Sequence, residues 1–222
     1  MSFSYLDYYK MYKAKGWYLP YKYFLENHFF DLKRQVDTHS TVQKNEFEEI
    51  ENLNHGVHYA CSWESTIKKS FNEVSLILKN RIEHFSFLDI GCGKGKVPIV
   101  WKEISQKEKL KLDIYGIDYS KKLIQIAQNN FLSLFKKKGN FICDDITKLN
   151  FNKFSKKKFV IYLYNPFNEI VFLKLLDLLE NFPVCIIYVH PMYDHVLKSK
   201  NFNLKYQFTG KHPTETFSIY LK

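Results

Sequence analysis

The chain alternates short apolar runs with longer stretches in which apolar side chains recur every three or four residues. The runs Phe85–Ile90, Lys111–Ile117, Asn140–Cys143, Phe159–Tyr164 and Val184–Val189 are short and rich in Ile, Val, Phe and Tyr. They read as strands, most of them buried on both faces. Between them, amphipathic spacing predicts helices over Lys96–Ser105, Ser120–Lys137 and Glu169–Asn181, with two more upstream at Leu19–Val36 and Glu64–Ile82. The clearest places Leu123, Ile126, Ala127, Asn130 and Leu134 at i, i+3 and i+4 steps, with Ser120 as N-cap, Lys136–Lys138 at the negative end of the dipole and Gly139 as terminator. Asn203–Phe208 and Glu215–Leu221 alternate on either side of a Gly-Lys-His-Pro turn and pair as antiparallel strands. The pattern predicts an α/β fold: a doubly wound, mostly parallel seven-stranded sheet with a C-terminal antiparallel hairpin. Residues 1–60 break this rhythm and read as a helical, aromatic-rich N-terminal cap on a core spanning 61–222.

Composition changes the picture little. At 222 residues, 45% of them apolar and 18% aromatic, the chain is neither disordered nor fibrous and can bury a substantial core. The formal charge of +10 invites an anionic partner, but Arg34 and Arg81 are the only arginines, so 31 of the 33 basic residues are lysine. A chain equally rich in Asn, Ile, Phe and Tyr has the look of an AT-rich coding sequence, which raises Lys without any ligand. Cys61, Cys92, Cys143 and Cys185 lie at least 31 residues apart, so neither a zinc knuckle nor a disulfide framework is expected. The N-terminus has no basic and apolar leader. The longest apolar runs, FVIYLY and VCIIYV, fall far short of the roughly 20 residues of a spanning helix, so a cytoplasmic location is expected.

Ligands of doubly wound sheets bind beyond the carboxyl ends of the strands, and four such ends are polar here. The first is FLDIGCGKGK at 87–96, where Asp89-Ile90 runs into Gly91, Gly93 and Gly95 ahead of a helix. A dinucleotide fingerprint needs a glycine at position 96, which is Lys96, and the P-loop spacing is absent. Gly-x-Gly-x-Gly after an acidic strand end resembles motif I of the class I S-adenosylmethionine-dependent methyltransferases. The resemblance implies that Asp89, Gly91, Cys92 and Gly93 line the amino-acid and sulfonium part of the cofactor. The second strand ends at Asp118, whose two carboxylate oxygens suit a pair of ribose hydroxyls; the family carries its ribose-binding acid here, with Tyr119 beside the adenine. The third ends FICDDI, where Asp144, with Asp145 as competitor, matches the acid at the adenine amino group and Ile146 the pocket wall. The fourth ends YLYNPF, one proline short of the family's Asn-Pro-Pro-aromatic corner. By resemblance Asn165 touches cofactor or substrate, and Pro166 and Phe167 face the substrate. Asp118, Asp144 and Asn165 follow Asp89 by 29, a further 26 and a further 21 residues.

Upstream, DTHSTV at 37–42 and HGVHYACSWES at 55–65 are similar to a bacterial methyltransferase group of unknown substrate with a YNPF strand end. This likeness implies that Tyr59 and Ser62 fold over the cofactor. His55 and His58 have the spacing of a metal pair, but no third ligand is visible and no metal is expected. Residues 5–24 interleave aromatics with Lys10, Lys13, Lys15 and Lys22; packing on the core is the preferred reading, with a membrane or nucleic-acid face as alternative. The expected function is methyl transfer from S-adenosylmethionine, leaving S-adenosylhomocysteine, to a small molecule, a sugar or lipid-linked intermediate, or a protein amine. No residue stands out as an essential base. Nucleic acid is the alternative acceptor, weakened by the near absence of Arg. A non-catalytic S-adenosyl-ligand-binding protein is the other alternative. Oligomeric state is not legible.

Overall fold

A computed structural model describes residues 5–40 and 60–222. Seven strands form one sheet: β1 (Ser86–Ile90), β2 (Asp113–Asp118), β3 (Asn140–Cys143), β4 (Phe159–Tyr164), β5 (Val184–Val189), β6 (Asn203–Phe208) and β7 (Phe217–Leu221), in the order β3-β2-β1-β4-β5-β7-β6. β1 to β5 pair in parallel and β7 runs antiparallel to both β5 and β6. Consecutive residues of one strand enter opposite cores, as the period of two requires. Leu88, Ile161 and Leu163 join one core under α7 (Glu169–Leu178) and α8 (Asp194–Ser199), and Phe87, Val160 and Tyr162 join the other under α4 (Glu64–Leu78), α5 (Lys96–Lys107) and α6 (Lys121–Phe135). Ser120 caps α6 through a hydrogen bond from the Leu123 amide. Strand order reverses between β1 and β4, which opens a crevice at their carboxyl ends.

The N-terminal residues form α1 (Tyr5–Lys15), α2 (Tyr18–Tyr23), a π-helical turn at Phe24–Phe29 and α3 (Phe30–Arg34). Arg34 ties α3 to the core: its guanidinium donates to both carboxylate oxygens of Glu103 (2.7 and 2.8 Å) and to Glu64 (2.8 Å). Phe30 and Leu19 are buried. The expectation that the aromatics of residues 5–24 pack on the core is corrected for α1, where no residue is buried. α1 meets the rest of the N-terminal segment through Tyr8, whose ring lies 6.3 Å from Tyr23 and 6.0 Å from His28, while Tyr5, Tyr9 and Tyr12 stay exposed. Two further differences are local. The helix predicted to reach Ile82 ends at Leu78, because Lys79 takes a positive φ of 51° and starts a 3-10 turn. The short helix α8 was hidden in a polar stretch too brief to show a period.

Candidate active site

The glycine loop leaves β1 at Ile90 and folds back over β2. The amides of Gly91 and Cys92 both donate to the Ile117 carbonyl, at 2.8 and 3.0 Å. Two of its glycines are required by space as well as by φ. At Gly91 (φ +76°) a Cβ would sit 2.6 Å from Pro166 Cβ; at Gly95 (φ +83°) it would press on Ala127 and Phe141 at 3.0–3.1 Å. Gly91 thus lets the loop touch the Asn165-Pro166 corner, closing the crevice between β1 and β4.

Two carboxylates lie under the loop. Asp118 accepts hydrogen bonds from the Gly93 and Ser120 amides, each at 2.9 Å. Burial pushes its pKa up to about 6, against the opposing pull of those amides and that of Tyr119. Asp89 is 4% exposed and has no hydrogen-bond partner among the described residues. Burial, and then the neighbouring Asp118 charge, push it well above the carboxylate range. A buried carboxylate without a partner costs free energy unless it is protonated or meets a cation.

These groups line a cavity of about 250 Å³ with Gly91, Cys92, Tyr119, Asn165, Pro166 and Ser62. Sequence-expected residues outside its lining are Gly93, which serves through its amide on Asp118, and the three of the β3 end. Asp144 is exposed and its amide donates to the Asp118 carbonyl at 3.1 Å. Asp145 caps a 3-10 turn by accepting from the Thr147 amide, and Ile146 is buried in the α7-side core. Phe167 is also turned into that core, its ring 6.2 Å from Phe172, rather than into the cavity. Tyr59, His55 and His58 lie outside the described residues.

Sequence reasoning did not single out Ala60, Cys61, Lys96, Val97, Leu123, Tyr164 or His190 as lining residues. The rule of strand ends applied to β5 would have found His190, where VCIIYV stops at His190-Pro191. Asn165 and His190 end neighbouring strands, both precede proline, and both hold positive φ, 41° and 50°. Such conformations cost about 1–3 kcal/mol each and gather at functional sites. The Tyr188 hydroxyl donates to Asn165 Oδ1 at 3.4 Å. At the rim, Tyr164 shares a 2.7 Å hydrogen bond with the Thr214 hydroxyl, and His212 stacks on Trp63 at 5.0 Å. Burial lowers the His212 pKa against the pull of the Glu215 charge, with Lys15 and His190 adding to the lowering, so the end of α1 lies within electrostatic reach of His212.

The ammonium groups of both glycine-loop lysines bond to the N-terminal segment, although Lys96 also lines the cavity. Lys94 (1% exposed) donates to Asp37 at 2.8 Å and to Ser40, and Lys96 (2% exposed) to the Glu26 carbonyl and, at 3.3 Å, to Asn27. Burial would raise the Asp37 pKa, but hydrogen bonds from Lys94 and Ser40 together with the Lys94 charge hold it low.

This sheet order, with a glycine loop after β1 and acids at the ends of β1 and β2, defines the class I methyltransferase fold. The chain belongs to the methyltransferase-domain family, which matches residues 83–203. Among solved structures it is similar to a putative class I S-adenosylmethionine-dependent methyltransferase of Listeria monocytogenes (TM-score 0.54, 15% identity, 76% of this chain and 62% of that one). It is also similar to magnesium protoporphyrin IX methyltransferase of Synechocystis PCC 6803, solved with its cofactor bound (TM-score 0.50, 14% identity, 90% and 93%). A tRNA N(3)-methylcytidine methyltransferase of Schizosaccharomyces pombe is 33% identical over 64 residues, 29% of this chain; the match spans 20% of that relative's length.

S-adenosylmethionine is the cofactor that goes with this family, and the residues present fit it. The partnerless Asp89 and the adjacent Asp118 give the cavity two buried carboxylates, while the ammonium of the one lining lysine, Lys96, is engaged by the Glu26 carbonyl and Asn27. A ligand carrying an ammonium and a sulfonium complements those carboxylates.

Proposed function

We propose that this domain transfers the methyl group of S-adenosylmethionine to an acceptor presented at the cavity mouth between Asn165, His190 and Tyr164. The observation that carries the reading is the buried, partnerless Asp89 beside Asp118 beneath a glycine loop. Asp118, fixed by backbone amides, would take the ribose hydroxyls, and Asp89 the cationic amino-acid end. Tyr119 would lie along the adenine, with Asp144 at its outer edge. The cofactor supplies a methyl group activated by a sulfonium.

The chain's own residues then align and desolvate. Gly91 against Pro166 closes one wall, and alignment with exclusion of water supplies most of the rate for such a transfer. An amide oxygen has two acceptor sites, so Asn165 Oδ1 can hold an acceptor N–H or O–H while keeping Tyr188. A small molecule, sugar or lipid-linked intermediate, or protein amine fits this mouth. The likeness of the 37–65 segment and the YNPF end to a bacterial group of unknown substrate supports the same reading. A nucleic-acid acceptor is the second reading, favoured by the 64-residue likeness to the tRNA enzyme.

Calorimetry with S-adenosylmethionine, S-adenosylhomocysteine and NAD on the wild type and Asp118→Ala tests the cofactor site. Absent S-adenosyl binding, or binding unchanged in Asp118→Ala, overturns the proposal. Transfer of labelled methyl into a lysate separated into protein, nucleic acid, lipid and small molecules then identifies the acceptor.

A further inference from the structure

α1 is an eleven-residue helix with no buried residue, and its exposed surface is aromatic: Tyr5 is 96%, Tyr9 55%, Tyr12 40% and the following Trp17 77% exposed. At about 100° per residue, Tyr5, Tyr9 and Tyr12 fall within roughly 60° of one another. Lys13 and Lys15 fall about 70–90° to either side, and Asp7, the helix's one acid, on the opposite face. Lys13 Nζ reaches over the Tyr9 ring at 5.5 Å. Along the axis the tyrosines step by roughly 6 and then 4.5 Å, and Trp17 continues the row with its ring 5.0 Å from Tyr12. Lys15, at one end of the row, is near enough for its charge to act on His212.

We propose that α1 and Trp17 form a stacking platform for a single-stranded nucleic-acid segment. Rings spaced at the step of successive unstacked bases and flanked by lysines are the composition that sequence-tolerant strand binding needs. Charge decides against a second copy of this chain, because the stripe would face its own lysines. Spacing decides against a membrane surface. An interfacial helix segregates its aliphatic side chains on one face, whereas Leu6 and Met11 lie about 140° apart and off the stripe. The proposal requires nothing of the methyl acceptor, and cofactor binding is read separately from it.

The test is fluorescence anisotropy of the full chain with labelled 12-nucleotide oligouridylate RNA at about 50 mM salt. The same sequence as DNA, duplex RNA, phosphatidylglycerol vesicles and sedimentation of the protein alone are run beside it. Single strands should bind at least tenfold better than duplex, with affinity falling with salt at a slope of about −0.7 per lysine engaged. RNA against DNA then shows whether the ribose hydroxyl contributes. Tyr9→Ala and Trp17→Ala should each lose about 5- to 100-fold, and Lys13→Gln with Lys15→Gln should flatten the salt slope. All three variants should melt and bind S-adenosylmethionine like the wild type. Because Trp63 and Trp101 are 3% and 0% exposed, iodide quenching reports Trp17, and the oligonucleotide should shield it. No single-strand binding, affinity unchanged in both ring variants, or the same variants abolishing vesicle binding or dimerisation instead would overturn the proposal.

Discussion

Burying Asp89 without a partner is costly in the free protein, and burial together with the neighbouring Asp118 charge shifts the group toward its neutral form. The same holds more weakly for Asp118, with its pKa near 6. Both pKa values are raised above that of the unfolded chain. Their contribution to stability is therefore fully present below about pH 4 and lost as pH rises through 6 and beyond. A cationic ligand reverses the sign, since it favours the ionised pair. S-adenosylmethionine affinity is expected to climb between pH 5 and 7.5, with proton release visible as a buffer-dependent calorimetric enthalpy. S-adenosylhomocysteine keeps the ammonium that Asp89 would take, so its affinity should climb as well; a flat profile for both ligands would contradict an Asp89 that meets the amino-acid end. Asp89→Asn should bind S-adenosylmethionine at least about tenfold more weakly, yet melt at or above the wild-type temperature at pH 7.5 without ligand. A lower melting point would mean that the carboxylate has a structural partner. His190 carries a different kind of strain. His190→Gly relieves the positive φ, so stability should hold or rise by up to about 1 kcal/mol. Methyl incorporation should fall, and a variant with full incorporation would remove His190 from the acceptor side.

At the scale of elements, the glycine loop faces two ways: its amides serve the cavity and its lysines hold the cap. Lys96→Met removes the ammonium that lies 4.5 Å over the Phe30 ring and donates to the Glu26 carbonyl and Asn27, a loss of about 1–3 kcal/mol. Hydrogen exchange should accelerate across residues 24–34 while β1 and β4 stay protected. Uniform acceleration would show that cap and core unfold together. The strands, the glycine loop and their acidic ends were legible in the sequence because buried runs are nearly unbroken and polar residues stop them abruptly. The direction of Lys94 and Lys96 was not, because nothing local says whether a lysine beside a glycine loop turns to a ligand or to another element. Phe167 shows the same limit. Its place after Asn165-Pro166 suggested a substrate face, but the side-chain direction was settled by packing against Phe172 from α7. α1 went unread as a helix because its pattern is written in tyrosine and lysine rather than in aliphatic residues.

Across the whole molecule, the sheet carries a site that is acidic inside while the chain is +10 overall. Little of the excess charge sits at the cavity, and three of the lysines gather on α1. Among the described residues no helix is long and apolar enough to cross a membrane. The two lysines of the glycine loop give the molecule a built-in chemical clock. Of 31 lysines, Lys94 and Lys96 are the buried ones among the described residues, so an amine-acylating reagent should label them last. Their labelling rate, followed by mass spectrometry, would count how often the cap lifts. A slower rate on adding S-adenosylmethionine would mean that filling the cavity latches a segment on the far side of the loop.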